Sequence, residues 1–296
     1  MIGFHIGKAN RDMSVAITED IKLLTERSLN PCCQIFVAGP RSNREIISAQ
    51  DKLKVRVLAE KYPMVVHGAY VDIPWKNNPG GVLNIKNELA ICAEIGAKGL
   101  IVHLGAGATD DVILEHVLRE LSTVPTDVIL YLEINTAKSS AGTFETPEKI
   151  NKLFERIDGI ISRQPHQLRV GLCIDTAHVY SCGVSLDEYN FTMDWLNSIQ
   201  GVELIMFHLN DSASTLGSGV DKHQALCKGN IWGQYTNGTS TDLRTDLRAD
   251  YMPVRDSGLV AVLEWAQLNE CMVILERSEG LEDDLDLIAN LGYMSN

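Results

Sequence analysis

Positive charge is scarce in this sequence: 26 lysines and arginines stand against 39 aspartates and glutamates, a formal net charge of −13 over 296 residues. Taken alone, that balance disfavours a polyanionic partner, because a phosphate backbone attracts basic surfaces. Long hydrophobic runs are also missing. No apolar stretch approaches the ~20 residues that span a bilayer, so no membrane partner is expected. The opening MIGFHIGKANRD has neither a basic start nor a long apolar core, and no secretory leader is expected. The seven cysteines (32, 33, 92, 173, 182, 227 and 271) are odd in number and form no C-x-x-C pair. Several sit inside apolar runs, which points to reduced, buried thiols in an intracellular protein rather than a disulfide framework. After the first apolar run comes IGKANRD, not a G-x-G-x-x-G turn. That absence disfavours a dinucleotide fold, and no nucleotide cofactor is expected.

What the sequence does have is alternation. Strand-like runs that are apolar on both faces occur at 2–7, 32–39, 64–70, 99–105, 128–135, 168–178, 202–211 and 271–277. Segments of helical period separate them, at 14–29, 43–62, 81–96, 109–124, 146–164, 185–200, 259–269 and 281–292. Thr146-Pro147-Glu148 reads as an N-cap followed by proline at the first helical position. Eight strands alternating with eight helices predict an α/β fold, a parallel (β/α)8 TIM barrel forming one domain over residues 1–296. An open doubly wound sheet is the alternative. Residues 228–256 are polar and lack a clear period, as expected of a loop insertion that is either a functional lid or locally disordered. Trp75 and Trp232 are expected to pack in the core.

Chemistry on such barrels gathers at the C-terminal ends of the strands. There this sequence places His67, His103, Glu133, Asp175 with His178, His208 followed by Asp221 and His223, and Glu276. A lone histidine in a parallel strand is often a core residue bonded to a carbonyl. Glu133 and Glu276 are harder to dismiss, because they close the apolar runs VILYLE and MVILE. A carboxylate buried there needs a cation, and Arg277 projects to the other face of its strand. Four carboxylates and five imidazoles exceed one tetrahedral site. With a bridging carboxylate they suit three divalent ions, which would take the net charge from −13 to −7 and weaken the objection to a nucleic-acid partner. Such clusters favour phosphoryl chemistry. The rival is a sugar isomerase or epimerase using Glu133, Asp175, His208 and Glu276 around a single metal. His5 ends the first strand as a supporting residue, while His116 in a helix and His166 in a loop are expected to be solvated.

The pieces VVHGAY, IVHLGA, LYLEINTA, GLCIDTAH, MFHLNDS, GSGVDKH and ILER, taken in order, resemble the endonuclease IV family. These are zinc-dependent abasic-site (AP) endonucleases on a xylose-isomerase-like barrel, and the wording is nearest to their short viral members. The resemblance implies three zinc ions: one on His67, His103 and Glu133; a second on Glu133, Asp175, His208 and Glu276; a third on His178, Asp221 and His223. It makes Glu133 and Glu276 catalytic, and puts Tyr70 and Arg41 against DNA near the lesion. The implied reaction, in base excision repair, is hydrolysis of the phosphodiester 5′ to an abasic site, leaving a 3′-hydroxyl. The implied substrates are duplex DNA with abasic sites or blocked 3′ ends. It further implies a monomer and, for a viral chain, a place in host cytoplasm or nucleus or packaged in the virion. Leu104, Val71 and Ser42 depart from the common family wording, and none of them is among the implied ligands. Basic residues on the same face (Lys8, Arg11, Arg44, Lys76, Lys138, Lys222, Arg244 and Arg248) are expected to follow the phosphate backbone.

Overall fold

The computed structural model describes residues 1–42, 44–71, 74–76, 79–136, 143–164, 166, 168–236, 253–277 and 279–293. Eight parallel strands close into a barrel. In chain order they are β1 (Ile2–Ile6), β2 (Pro31–Ile35), β3 (Met64–His67), β4 (Gly99–His103) and β5 (Ile129–Glu133), then β6 (Val170–Asp175), β7 (Ile205–His208) and β10 (Met272–Leu275). Each pairs with its sequence neighbour, and β1 against β10 completes the ring. The two remaining strands, β8 (Asp211–Ser212) and β9 (His223–Gln224), form a separate antiparallel ribbon.

Helices cover the outside: α1 (Met13–Asp20), α2 (Lys22–Thr25), α3 (Ala49–Lys61), α4 (Pro79–Ile95) and α5 (Asp111–Leu121). They continue with α6 (Pro147–Ile161), α7 (Thr176–Ser181), α8 (Tyr189–Asn197), α9 (Gly258–Leu268) and α10 (Leu281–Leu291). The Thr146 side chain caps α6 at Lys149 N, with Pro147 at its first position, as the sequence predicts. Among the described residues no helix is long and apolar enough to cross a membrane. All seven cysteines are free thiols and six of them are buried.

The barrel interior is filled rather than hollow. Tyr131 occupies its middle, together with Val65, Ile101, Cys173, Met206 and Ile274. Glycines on both neighbouring strands make room for this ring: a Cβ at Gly99 or Gly171 would lie 2.6 or 2.7 Å from it. Strand side chains alternate in direction, so Glu133, two residues beyond Tyr131, also points inward. It stands directly on this apolar plug.

Several boundaries differ from the sequence pattern, each for a local reason. The helix expected from residue 43 begins at Ala49, where the Ser48 hydroxyl accepts from Asp51 N; before it, an isolated bridge pairs Ala38 with Glu45. The first helix breaks at Ile21 into α1 and α2. The run expected to continue to His178 stops at Asp175, whose carboxylate accepts from His178 N at 2.9 Å and so starts α7. The run 202–211 ends in the barrel at His208. Beyond it the Asp211 carboxylate collects the N–H groups of Ser212, Gly229 and Ile231 at 2.7–3.1 Å, which draws the chain into the ribbon. The start of the expected 228–256 insertion is therefore packed structure: Trp232 is fully buried and its Nε1–H donates to Leu186 O at 2.7 Å. Residues 237–252 lie outside the described residues. Trp75 is buried as well.

Candidate metal centre

All nine rim residues singled out in the sequence meet at one mouth of the barrel. Glu133 is the hub and has no solvent exposure. Its Oε2 lies 3.1 Å from both His67 Nε2 and His103 Nε2. Its Oε1 lies 3.1 Å from His208 Nδ1 and 3.4 Å from His178 Nδ1. Ligand-type atoms of Glu133, Asp175, His208 and Glu276 come within 4.8 Å of one another, and those of Asp175, His178 and His223 do the same. The ribbon delivers the last two residues: His223 Nε2 is 3.0 Å from Asp221 Oδ1 and 3.5 Å from Asp175 Oδ2.

Two buried atoms test whether such a donor set suits a cation. His178 Nε2 and His223 Nε2 are buried and make no well-aligned hydrogen bond, although they lie 3.4 and 3.0 Å from Asp221. Buried polar nitrogens are rarely left so, and both face the carboxylates of Asp175 and Asp221, as ligands of a shared ion would. The other ring nitrogen of His178 is fixed by Ile134 O at 2.8 Å, and that of His67 by Gly68 O at 2.8 Å. Anchoring of this kind is typical of imidazoles that hold metal. These residues could hold divalent cations.

Charge explains why the groups tolerate each other. Burial raises the Glu133 carboxyl, but His103 and His208 override it and hold it well below the usual carboxylate range. Burial lowers His67 and His223, yet the facing acids, Glu133 for one and Asp175 with Asp221 for the other, bring both up to about 9. Asp221 is held low by His178 and His223 against its own desolvation. Opposite charges thus keep each other ionised, and a cation must displace protons to enter.

Sequence reasoning missed the polar residues that support this cluster. Gln34, fully buried on β2, hydrogen-bonds both His208 and Glu276 at 2.8 Å. Asn210 Nδ2 donates to Asp175 Oδ2 at 2.9 Å, and its Oδ1 accepts from Glu276 N at 3.4 Å. Trp75 Nε1–H donates to His103 O at 2.8 Å. One signal was available: a glutamine inside the apolar run CCQIFV must find buried partners. Arg277 pairs with Asp284 at 3.0 Å, away from the centre as expected. His116 and His166 are exposed, also as expected.

Tyr70 is 47% exposed at the rim, stacked on His103 with ring centroids 5.4 Å apart and 5.1 Å from His67. Its N–H donates to Pro40 O at 2.9 Å, which ties it to the turn bearing the exposed Arg41. Two of the expected phosphate contacts need correction. Arg11 is engaged by Asp20 and Glu19, and Lys8 Nζ donates to Ile46 O at 2.8 Å, so neither cation is presented freely. Arg44 and Lys222 are exposed. The Lys76 side chain, Lys138, Arg244 and Arg248 lie outside the described residues.

Beneath the Tyr70 turn, Glu88 Oε1 accepts from Ala69 N at 3.1 Å while Oε2 has no partner. Burial pushes this carboxyl up to about 7 from an ordinary 4.5. Across that window the unfolded chain gives up the proton and the folded protein keeps it, so stability falls as pH rises from about 4.5 to 7. Glu88→Gln keeps the acceptor and removes the charge. Its thermal midpoint should rise by roughly 4 °C at alkaline pH, where the cost is on the order of 2 kcal/mol, and stay level in mild acid. Calorimetry at the two pH values checks this, and an equal shift at both would contradict it.

Comparison with known proteins places these features. The xylose isomerase-like TIM barrel family matches residues 31–237, a span that holds eight of the nine rim residues and stops short of Glu276. A protein named "Probable AP endonuclease" from African swine fever virus (isolate Pig/Kenya/KEN-50/1950) is 38% identical over 256 residues, 83% of this chain and 79% of its own. A "Probable endonuclease 4" from Staphylococcus carnosus (strain TM300) is 25% identical over 78% of this chain and 79% of its own. The crystal structure of AsfvAP:AG superposes with a TM-score of 0.83 at 30% identity, covering 99% of this chain and 98% of that one. The chain belongs to the AP endonuclease family built on the xylose isomerase-like TIM barrel.

Proposed function

We propose that this protein is a zinc-dependent AP endonuclease of base excision repair. It hydrolyses the phosphodiester 5′ to an abasic site in duplex DNA, leaves a 3′-hydroxyl, and trims blocked 3′ ends. It acts as a monomeric single barrel domain over residues 1–296, with three zinc ions and no nucleotide cofactor. Its place is inside the cell, in host cytoplasm or nucleus or packaged in the virion if the chain is viral. The observation that carries this reading is the convergence of nine ligand-type side chains, with the Nε2 atoms of His178 and His223 buried against Asp221 without a well-aligned hydrogen bond.

His67, His103 and Glu133 form one ligand set; Glu133, Asp175, His208 and Glu276 a second; His178, Asp221 and His223 a third. Divalent cations held by these sets would supply Lewis-acid activation of water and charge stabilisation of a phosphodiester and its leaving oxygen. The chain's own part is to fix these groups before substrate arrives. Glu133 ties the first two sets together through its two oxygens, and the ribbon sets the third beside them. Tyr70, stacked on His103, and the exposed Arg41 on the turn tied to it meet the DNA at the lesion. The apolar plug under Glu133 keeps bulk water out from below.

A second reading, a single-metal sugar isomerase or epimerase, shares the barrel and needs only Glu133, Asp175, His208 and Glu276. It leaves His67, His103, His178, Asp221 and His223 without a purpose. Metal analysis of purified protein, coupled to cleavage of a duplex with one abasic analogue, separates the two. About three zinc ions per chain are expected, with cutting abolished by chelator and restored by zinc. Chelation should also lower the thermal midpoint by roughly 8 °C, since cations bind only the folded chain. One metal per chain with ketose conversion, or DNA binding without a cut, would overturn the nuclease reading.

A further inference from the structure

We infer that Gln34 is a positioning residue that dictates which nitrogen of His208 faces the metal centre. The inference rests on the metal reading above and deepens it. Gln34 is fully buried in β2, between β1 and the His67-bearing β3. Its amide nitrogen lies 2.8 Å from Glu276 Oε1. An ionised carboxylate can only accept, so the NH2 end must face Glu276 and the carbonyl end must face away. That carbonyl oxygen lies 2.8 Å from His208 Nε2. An amide oxygen has no hydrogen to give, so His208 must carry a proton on Nε2. Once a cation displaces the other proton, the lone pair left for it is on Nδ1. That nitrogen sits 3.1 Å from Glu133 Oε1 and 3.3 Å from Glu276 Oε2, where a shared cation would be held.

The remaining amide hydrogen of Gln34 is also accounted for. His5 Nδ1 lies 3.2 Å from the same amide nitrogen and accepts from it. Burial keeps His5 neutral, with its pKa down at about 4, so this nitrogen has a lone pair to offer. The result is a directional chain: Gln34 donates to Glu276 and His5 and accepts from His208. Rotating the amide by 180° would set an oxygen against the carboxylate of Glu276, which is repulsive. The carboxylate therefore orients the amide, and the amide orients the imidazole. In the opposite tautomer, with hydrogen on Nδ1, two lone pairs would face each other across 2.8 Å and the ligating position would be blocked. Partners of ligand histidines that work in this way set affinity by about 10–100-fold.

Gln34→Met, similar in length and apolar, removes both hydrogen-bonding ends. Gln34→Glu keeps an acceptor for His208 but no longer donates to Glu276. The His208 tautomer is read by long-range nitrogen–proton NMR at alkaline pH, in chelator and after zinc loading. Zinc affinity is read by competition with a chromophoric chelator. Zinc-loaded wild type should show the Nε2–H form; in chelator Nε2 should stay protonated while Nδ1, between Glu133 and Glu276, holds a second proton. Gln34→Met should lose that preference and weaken one of the bound zinc ions about 10–100-fold, with the others unchanged. Gln34→Glu should keep the Nε2–H form. Wild-type tautomer and zinc affinities in Gln34→Met would overturn the inference and leave Gln34 as core filler. A wild type that takes up no zinc would overturn the metal reading instead, and Nε2 protonation in chelator, compared between wild type and Gln34→Met, would still decide the role of Gln34.

Discussion

Replacing Glu133 with glutamine should abolish zinc-dependent cleavage, by on the order of 10³-fold or more, and strip the centre of most of its bound metal. The reason is geometric. Both oxygens of Glu133 are engaged at 3.1 Å, one with His67 and His103, the other with His208. Glutamine has the same shape but only one such oxygen. Its NH2 end would donate into imidazole lone pairs that a cation otherwise uses, replacing coordination with hydrogen bonds. Glu133→Gln should therefore fold normally and lose the sensitivity of its thermal midpoint to chelator. That pairing distinguishes loss of the centre from loss of the fold. A Glu133→Gln protein that retained three zinc ions and wild-type cutting would remove Glu133 from the mechanism altogether.

Glu276→Gln should be nearly as damaging to turnover, also by on the order of 10³-fold, while leaving affinity for abasic DNA within about tenfold. Glu276 differs from Glu133 in position. Its side chain is 11% exposed at the open end of β10, whereas Glu133 has no exposure. It touches His208 at 3.3 Å and Gln34 at 2.8 Å, but not His67 or His103. Losing it should cost one cation and spare the ligand set of His67, His103 and Glu133, so DNA can still dock on the Tyr70 and Arg41 rim. Measuring binding by anisotropy beside single-turnover cleavage tests this separation. A parallel fall in affinity and rate would mean Glu276 shapes the docking surface; undiminished turnover would count against the metal reading as a whole.

Much of this was legible in the sequence because two different pressures write on the same strands. Residues buried on both faces must be apolar, which marks the barrel; any ionisable group that closes such a run must have a reason. Glu133 after VILYL and His208 after LIMF stand out for that cause. What the pattern does not encode is distance between strands. Gln34 and His208 are 174 positions apart and meet only because β2 and β7 curve round the same barrel end. Asn210 reads as an ordinary turn residue until Asp175 is seen beside it. Arg11 and Lys8 looked free for DNA because the nearness of Asp20, Glu19 and Ile46 depends on how α1 and the chain around Ile46 pack back against them. The break between β7 and the ribbon depends on Asp211 gathering amides from as far away as Ile231, which no local window contains.

The Tyr131 plug has a consequence for ion traffic. With the two flanking glycines fitted closely to its ring, the barrel is a one-ended vessel, and whatever enters or leaves must pass the open lip. Exposure along that lip is uneven: the Asp221 side chain is 51% accessible, against none for His208 and Glu133. Exchange should therefore be graded, with the ion beside Asp221 and His223 turning over first and the two that share Glu133 last. A duplex seated on Tyr70 and Arg41 would cork the vessel and slow all three.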